Sequence, residues 1–248
     1  MKKIYFAALA MALTACVSNE DLNPVDNYGY IDLNVSNDPI VETRATINGK
    51  DWIVKIGGQN YTGTNQAFEA DTYEILVKSH ENCSTATGTT TDWGEAYYSN
   101  ENATDENKTI SVEAGKTATK NINCGQAQNS RMTVEFTQQF ITVFPTYKLN
   151  VTSPKELEFN QTNNKTNGQY AYFAANANIS FTITYAKQGG EDKTTLPREI
   201  TLGAAGTEKI IYVTANTHGN IQLNITTTGF DTTTETLTFD AATGNQVQ

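Results

Sequence analysis

Four apolar residues spaced two apart, Ile179, Phe181, Ile183 and Tyr185, alternate with the hydroxyl-bearing Ser180, Thr182 and Thr184. Side chains of an extended backbone point to opposite faces in turn, so this run buries one face of a strand and wets the other. A helix would scatter the same residues around its axis. The period of two returns at residues 28–35, where Ile31, Leu33 and Val35 oppose Tyr28, Tyr30, Asp32 and Asn34. It returns again at Trp52, Val54 and Ile56, at Tyr73, Ile75 and Val77, at Met132, Val134 and Phe136, and at Tyr147, Leu149 and Val151. Ile221, Leu223 and Ile225 and then Leu237 and Phe239 close the series. Turn-forming Asn48-Gly49, Ala114-Gly115-Lys116 and Gly189-Gly190-Glu191-Asp192 fall between these runs. Threonine, β-branched and suited to pleated surface, is about one residue in six. Long amphipathic stretches rich in Ala, Glu, Lys and Leu are missing, so the expected class is all-β.

Seven or so strands at the spacing of a β-sandwich fit into residues 28–125. The small, polar segment 125–130 is a suitable boundary, and residues 130–248 form a second block of similar size and patterning without a repeat of specific residues. The expectation is two tandem β-sandwich domains. Within the first, residues 84–92 are rich in Thr and Gly and read as an exposed loop. Residues 93–98, Trp-Gly-Glu-Ala-Tyr-Tyr, read as an aromatic strand. Within the second, Phe140, Val143 and Phe144 before Pro145 fit a strand or one helical turn equally.

Lys2 and Lys3 precede an apolar stretch at residues 4–13, too short for a bilayer span of about 20 residues but suited to a signal peptide. It closes on Leu13-Thr14-Ala15-Cys16, which resembles a bacterial lipobox, where cleavage before the cysteine frees its thiol for diacylglycerol. An ordinary secretory signal with an incidental cysteine is the alternative. Residues 1–15 are then a lipoprotein signal peptide, Cys16 the lipidated residue and residues 16–27 a tether. Each buried methylene contributes about 0.8 kcal/mol, so two or three acyl chains, palmitate among them, anchor where one is marginal. The segment Ser18-Asn19-Glu20-Asp21 resembles the export signal of Bacteroidetes-type lipoproteins that face the cell exterior. Cleavage takes two of the 17 basic residues and none of the 27 acidic ones, moving the formal charge from -10 to -12. Without a basic block the chain is a poor match for nucleic acid.

Chemistry is sparse. Once Cys16 carries lipid, Cys83 and Cys124 remain, to be read either as one disulfide or as two buried thiols. A disulfide closing about 40 residues would contribute roughly 4 kcal/mol in the chain-entropy model. His80 and His218 sit beside polar loop residues, and although His80 is near Cys83, nothing supplies the orienting third group of a nucleophilic site. Metalloprotease, nucleophile-elbow and phosphate-loop motifs do not occur. Asp105-Glu106-Asn107 would ligate calcium only with oxygens from other loops. The expectation is a non-enzymatic chain without cofactor or metal. Trp93, Tyr97 and Tyr98 are candidates for stacking on sugar rings, against the plainer reading that they cap the core.

Residues 28–35, 72–77, 121–124 and 131–151, together with the lipobox and Glu42-Thr43-Arg44-Ala45, resemble the surface lipoproteins of the fimbrillin superfamily. The resemblance extends to fimbrium-anchor lipoproteins and a related two-domain lipoprotein family. It implies two transthyretin-like or immunoglobulin-like sandwiches, lipid-anchored on the outer membrane and facing outward. It also implies a fimbrial or adhesion subunit, or a fimbrium anchor, whose partners are other β-subunits. Polymerising members are cut by an arginine-specific protease near the N-terminus, which opens a groove for a neighbour's strand. Arg44 stands where such a cut would fall, with an ordinary surface arginine as the alternative. A second functional reading is a glycan-binding surface lipoprotein of a polysaccharide-uptake system, with surface glycans as partners. A surface hydrolase is a distant third.

Overall fold

A computed structural model describes residues 27–36, 52–88, 90–215, 220–228, 233–242 and 246–247. Cys16, Arg44, His218 and the Asn48-Gly49 turn lie outside the described residues. The chain is all-β, and its described residues form four sheets and two short α-helices.

The first seven strands are β1 (Tyr28–Ser36), β2 (Ile53–Ile56), β3 (Gln59–Asn60), β4 (Ala67–Glu69), β5 (Thr72–Lys78), β6 (Thr109–Ser111) and β7 (Thr117–Asn123). They make one sheet of order β4-β1-β7 and another of order β3-β2-β5-β6. Between the sheets lies a shared core to which β1 contributes Ile31, Leu33 and Val35, β2 contributes Val54 and Ile56, and β5 contributes Ile75 and Val77. Burying a side chain of this kind contributes about 1.5–3 kcal/mol, which is why the alternation fixes each strand's inward face. Gly29 is required in β1 because a Cβ there would lie 2.4 Å from the Glu113 carbonyl oxygen. The turn at residues 113–116 crosses at that point, with Tyr30 N donating to Lys116 O at 2.8 Å.

The remaining strands are β8 (Asn129–Phe136), β9 (Thr146–Ser153), β10 (Leu157–Phe159), β11 (Ala171–Ala174), β12 (Asn178–Ala186), β13 (Lys193–Thr194) and β14 (Arg198–Thr201), followed by β15 (Glu208–Ala215), β16 (Ile221–Thr228), β17 (Thr233–Phe239) and β18 (Gln246–Val247). One sheet runs β10-β9-β12-β13 with β14 also on β12, and the other runs β11-β8-β15-β16-β17-β18. Their core holds all four residues of the 179–185 alternation, none more than 1% exposed.

The two strand sets follow one plan. In the first, β1 pairs antiparallel with β4 and parallel with β7. In the second, β8 pairs antiparallel with β11 and parallel with β15. The facing sheets match as well, β3-β2-β5-β6 against β10-β9-β12-β14, every pair antiparallel. A seven-strand topology therefore occurs twice without a visible sequence repeat, because burial pattern and turn placement define it. The second copy adds β13 and, beyond β15, the strands β16 to β18.

Two segments differ from the sequence expectation, and a third resolves an alternative that it left open. Residues 84–92 are not simply an exposed loop, because α1 (Cys83–Thr87) forms there with Ala86 buried. Asn82 caps it, its Oδ1 accepting from Thr85 N at 2.9 Å. Residues 93–98 are not a strand: Glu95 N donates to Ala86 O of α1, and Tyr97 N and Tyr98 N donate to the side chains of Asn129 and Ser79, rather than to a neighbouring strand. The ambiguous Phe140 region is a helix, α2 (Gln138–Val143), capped by Thr137. Its Phe140 and the following Phe144 enter the core one helical turn apart.

Candidate functional site

Residues 83–98 lie in sequence between β5 and β6 but in space against the second strand set. Glu95 N donates to Ala86 O at 2.7 Å, folding the segment back on α1, and Tyr172 N of β11 donates to Trp93 O at 2.8 Å. Gly94 adopts φ +73°, and a Cβ there would lie 2.5 Å from the Thr87 carbonyl oxygen. At the centre is Lys155, 6% exposed. Its Nζ donates to Thr87 O and to Asp92 O, the latter at 2.6 Å, and lies 4.8 Å from the Phe173 ring centre. Burial pushes its pKa down to about 8, with the Asp92 carboxylate opposing the shift. A buried ammonium donating to two carbonyls is a clasp, holding segment 83–98 on the β9 to β11 region. At the other end Asn129 takes over: its Oδ1 accepts from Tyr97 N at 3.0 Å and its Nδ2 donates to Glu95 O at 2.7 Å.

This anchoring places Trp93 edge-on to Phe159, ring centres 4.9 Å apart at 85°. The half-buried indole packs on the C-terminal core. It also lines a cavity of about 510 Å³ with Thr91, Asn150, Glu156, Glu158 and Asn163. Glu158 is already engaged, accepting from Lys148 Nζ at 2.9 Å and from Asn160 Nδ2 at 2.9 Å. Those two donors, Asn160 foremost, hold its carboxyl below the usual range. The side chains of Glu156 and Asn163 bond no other group among the described residues.

A second cavity, about 390 Å³, lies where the two strand sets meet and is lined by Tyr98, Arg131, Tyr172 and Glu208. Arg131 donates from Nε at 3.0 Å and from Nη2 at 2.6 Å to Glu208 Oε2, and its guanidinium lies 4.1 Å from the Tyr170 ring centre. Its charges answer one another within the protein.

The three aromatics nominated from the sequence separate. Tyr97 is 4% exposed with its hydroxyl donating to Glu101, so it has no face to offer a ligand. Tyr98 packs against the N-terminal core, and only Trp93 reaches the larger cavity. Cys83 and Cys124 are free thiols. Burial raises the pKa of both, that of Cys124 to about 12. His80 Nδ1 lies 2.9 Å from Ser79 Oγ, and its Nε2 lies 3.8 Å from Glu95. No group of three or more His, Cys, Asp or Glu is placed to hold a metal among the described residues. Lys155, Asn150 and Asn163 carried no sequence signal, since a lysine or asparagine in a polar loop or on the outer face of a strand looks solvated until the fold places it.

One sheet edge also stands out. The strand β15 is flanked by β8 and β16, whereas its counterpart β7 pairs only with β1 among the described residues. Asn107 Nδ2 donates to the carbonyl of Asn123 at 2.8 Å and closes the end of β7. Along the rest of the strand, Thr117, Thr119 and Asn121 are exposed. No helix among the described residues is long and apolar enough to cross a membrane.

A family described as a domain of unknown function (DUF4493) matches residues 27–243. No curated protein matches the chain. A solved structure from Bacteroides fragilis, of a protein proposed to act in cell adhesion, is similar at 11% identity and a TM-score of 0.37, covering 85% of this chain and 97% of that one.

Proposed function

We propose that this chain, which belongs to the DUF4493 family, is a non-enzymatic adhesion or fimbrial subunit held on the outer membrane by lipid on Cys16. It joins other β-subunits by main-chain pairing along β7. The observation that carries this reading is the unequal treatment of equivalent edges. The edge of β15 is continued by β16 and β17, while the edge of β7 is continued by nothing among the described residues. An edge with unmet N–H and C=O groups is a template for another strand, and each added main-chain hydrogen bond contributes about 0.5–1.5 kcal/mol net. Two further features support the reading. Exposed threonines and Asn121 along β7 are compatible with a solvated edge that meets a partner later. The lipobox would place the subunit on the membrane, with the acidic segment after Cys16 directing it outward.

The test is crosslinking in intact cells from a photoreactive residue at position 119, with position 106, exposed in a short 3-10 turn, as the control. Discrete adducts with other surface β-proteins from position 119, and none from position 106, are expected. Equal or absent adducts from both positions would refute pairing at β7.

A further inference from the structure

We infer that the Trp93 cavity is a saccharide-binding site, an assignment that goes beyond the strand-pairing reading and does not depend on it. The aromatic is preorganised. Trp93 is fixed by the Phe159 ring contact, by the Tyr172 N–H on its carbonyl, by the crowded backbone at Gly94 and by Lys155 on the neighbouring Asp92. An aromatic ring held this firmly loses little freedom when a ligand arrives, which is the condition for a stacking platform.

The chemistry of the wall points the same way. A sugar ring presents a C–H face to an aromatic and a rim of hydroxyls that both donate and accept. The rest of the lining supplies the complement: the carboxamides of Asn150 and Asn163, the hydroxyl of Thr91 and the carboxylate of Glu156. Glu156 and Asn163 are uncommitted among the described residues, and Asn150 Nδ2 makes one long contact, 3.5 Å to Thr184 Oγ1. Glu158 is neutralised by Lys148, which leaves Glu156 as the unpaired charge of the cavity wall among the described residues. An anionic ligand would meet that carboxylate without a cation to answer it. A cationic ligand would meet the indole and one exposed carboxylate but would leave the carboxamides of Asn150 and Asn163 and the Thr91 hydroxyl unanswered, whereas a polyhydroxyl ligand both donates to and accepts from them. At about 510 Å³ the cavity lies within the range of roughly 300–1,000 Å³ typical of ligand pockets.

The experiment is native affinity electrophoresis of the full mature chain in gels containing one of four neutral polysaccharides: a galactomannan, a mixed-linkage β-glucan, an α-mannan or an arabinogalactan. Retardation by at least one of them is expected. Asn163→Ala and Glu156→Gln should each weaken it about tenfold, the equivalent of losing one well-formed polar contact. Trp93→Ala should abolish it, and because Trp93 also packs on the core, the two polar variants, with melting temperatures unchanged, keep the test independent of folding. Wild-type protein unretarded by all four would overturn the assignment. So would retardation that survives both polar variants. Crosslinking at β7 reads out separately, so either conclusion can fail alone.

Discussion

Lys155 is the group whose removal most sharply separates the forces at the junction. With its pKa at about 8, against the ordinary 10.5, the folded protein releases this proton before the unfolded chain does. Below pH 8 both states carry it, and its contribution to stability does not change with pH. Between pH 8 and 10.5 the unfolded state binds more protons, so stability must rise with pH across that window. At 1.36 kcal/mol per pH unit the full rise is about 3 kcal/mol. Lys155→Met removes the titration while keeping the length of the stem. Urea unfolding of both proteins, followed by tryptophan fluorescence at intervals from pH 7 to 10.5, therefore isolates the lysine as a difference. Wild type should gain on the variant by about 3 kcal/mol over this range. At pH 7 the variant leaves the buried Thr87 carbonyl without its donor, a loss of about 1–3 kcal/mol, partly offset because no ammonium is desolvated. A difference that stays flat, or falls, between pH 8 and 10.5 would refute the reasoning. It would mean that the two carbonyl hydrogen bonds and the Phe173 ring outweigh burial and keep Nζ protonated.

Other perturbations test separate links. Gly94→Ala forces a side chain into φ +73° and against the Thr87 carbonyl; a loss of more than about 2 kcal/mol and a shifted Trp93 emission are expected. Phe140→Ala empties a fully buried site in contact with Phe136, Phe144 and Tyr147 and should cost about 3–5 kcal/mol in urea unfolding. Cys124, 4% exposed with its pKa raised to about 12, should resist thiol reagents at pH 8 until the protein unfolds. Labelling at the native rate of an exposed thiol would contradict the core placement.

Most of the strands were legible because burial in a sheet writes itself into sequence with a period of two. Ile31, Leu33 and Val35 in β1 and the 179–185 run in β12 are buried as the alternation requires. Periodicity says which face of a strand is buried but not which strand lies beside it. The parallel pairing of β1 with β7, and its repetition by β8 and β15, was therefore invisible. Residues 84–98 were misread for a related reason. Their order comes from partners distant in sequence, Lys155, Asn129 and Phe159, which no local pattern reveals. The short helix α1 depends on the Asn82 cap and on a surface contributed by β11 rather than on its own propensity. At the candidate site the aromatic was visible in sequence. Its polar complement was not, because Asn150, Glu156 and Asn163 become neighbours of Trp93 only through the β9–β10 hairpin and the loop after it.

The difference between β7 and β15 underlies the proposed function, and amide hydrogen exchange reads it directly. Exchange would be measured on the chain purified alone and on the assembly recovered from cells. The strand β15, flanked on both sides, should be protected in both samples, while the outward amides of β7 should exchange fast alone and slowly in the assembly. Equal protection of β7 in the two samples would contradict pairing at that edge.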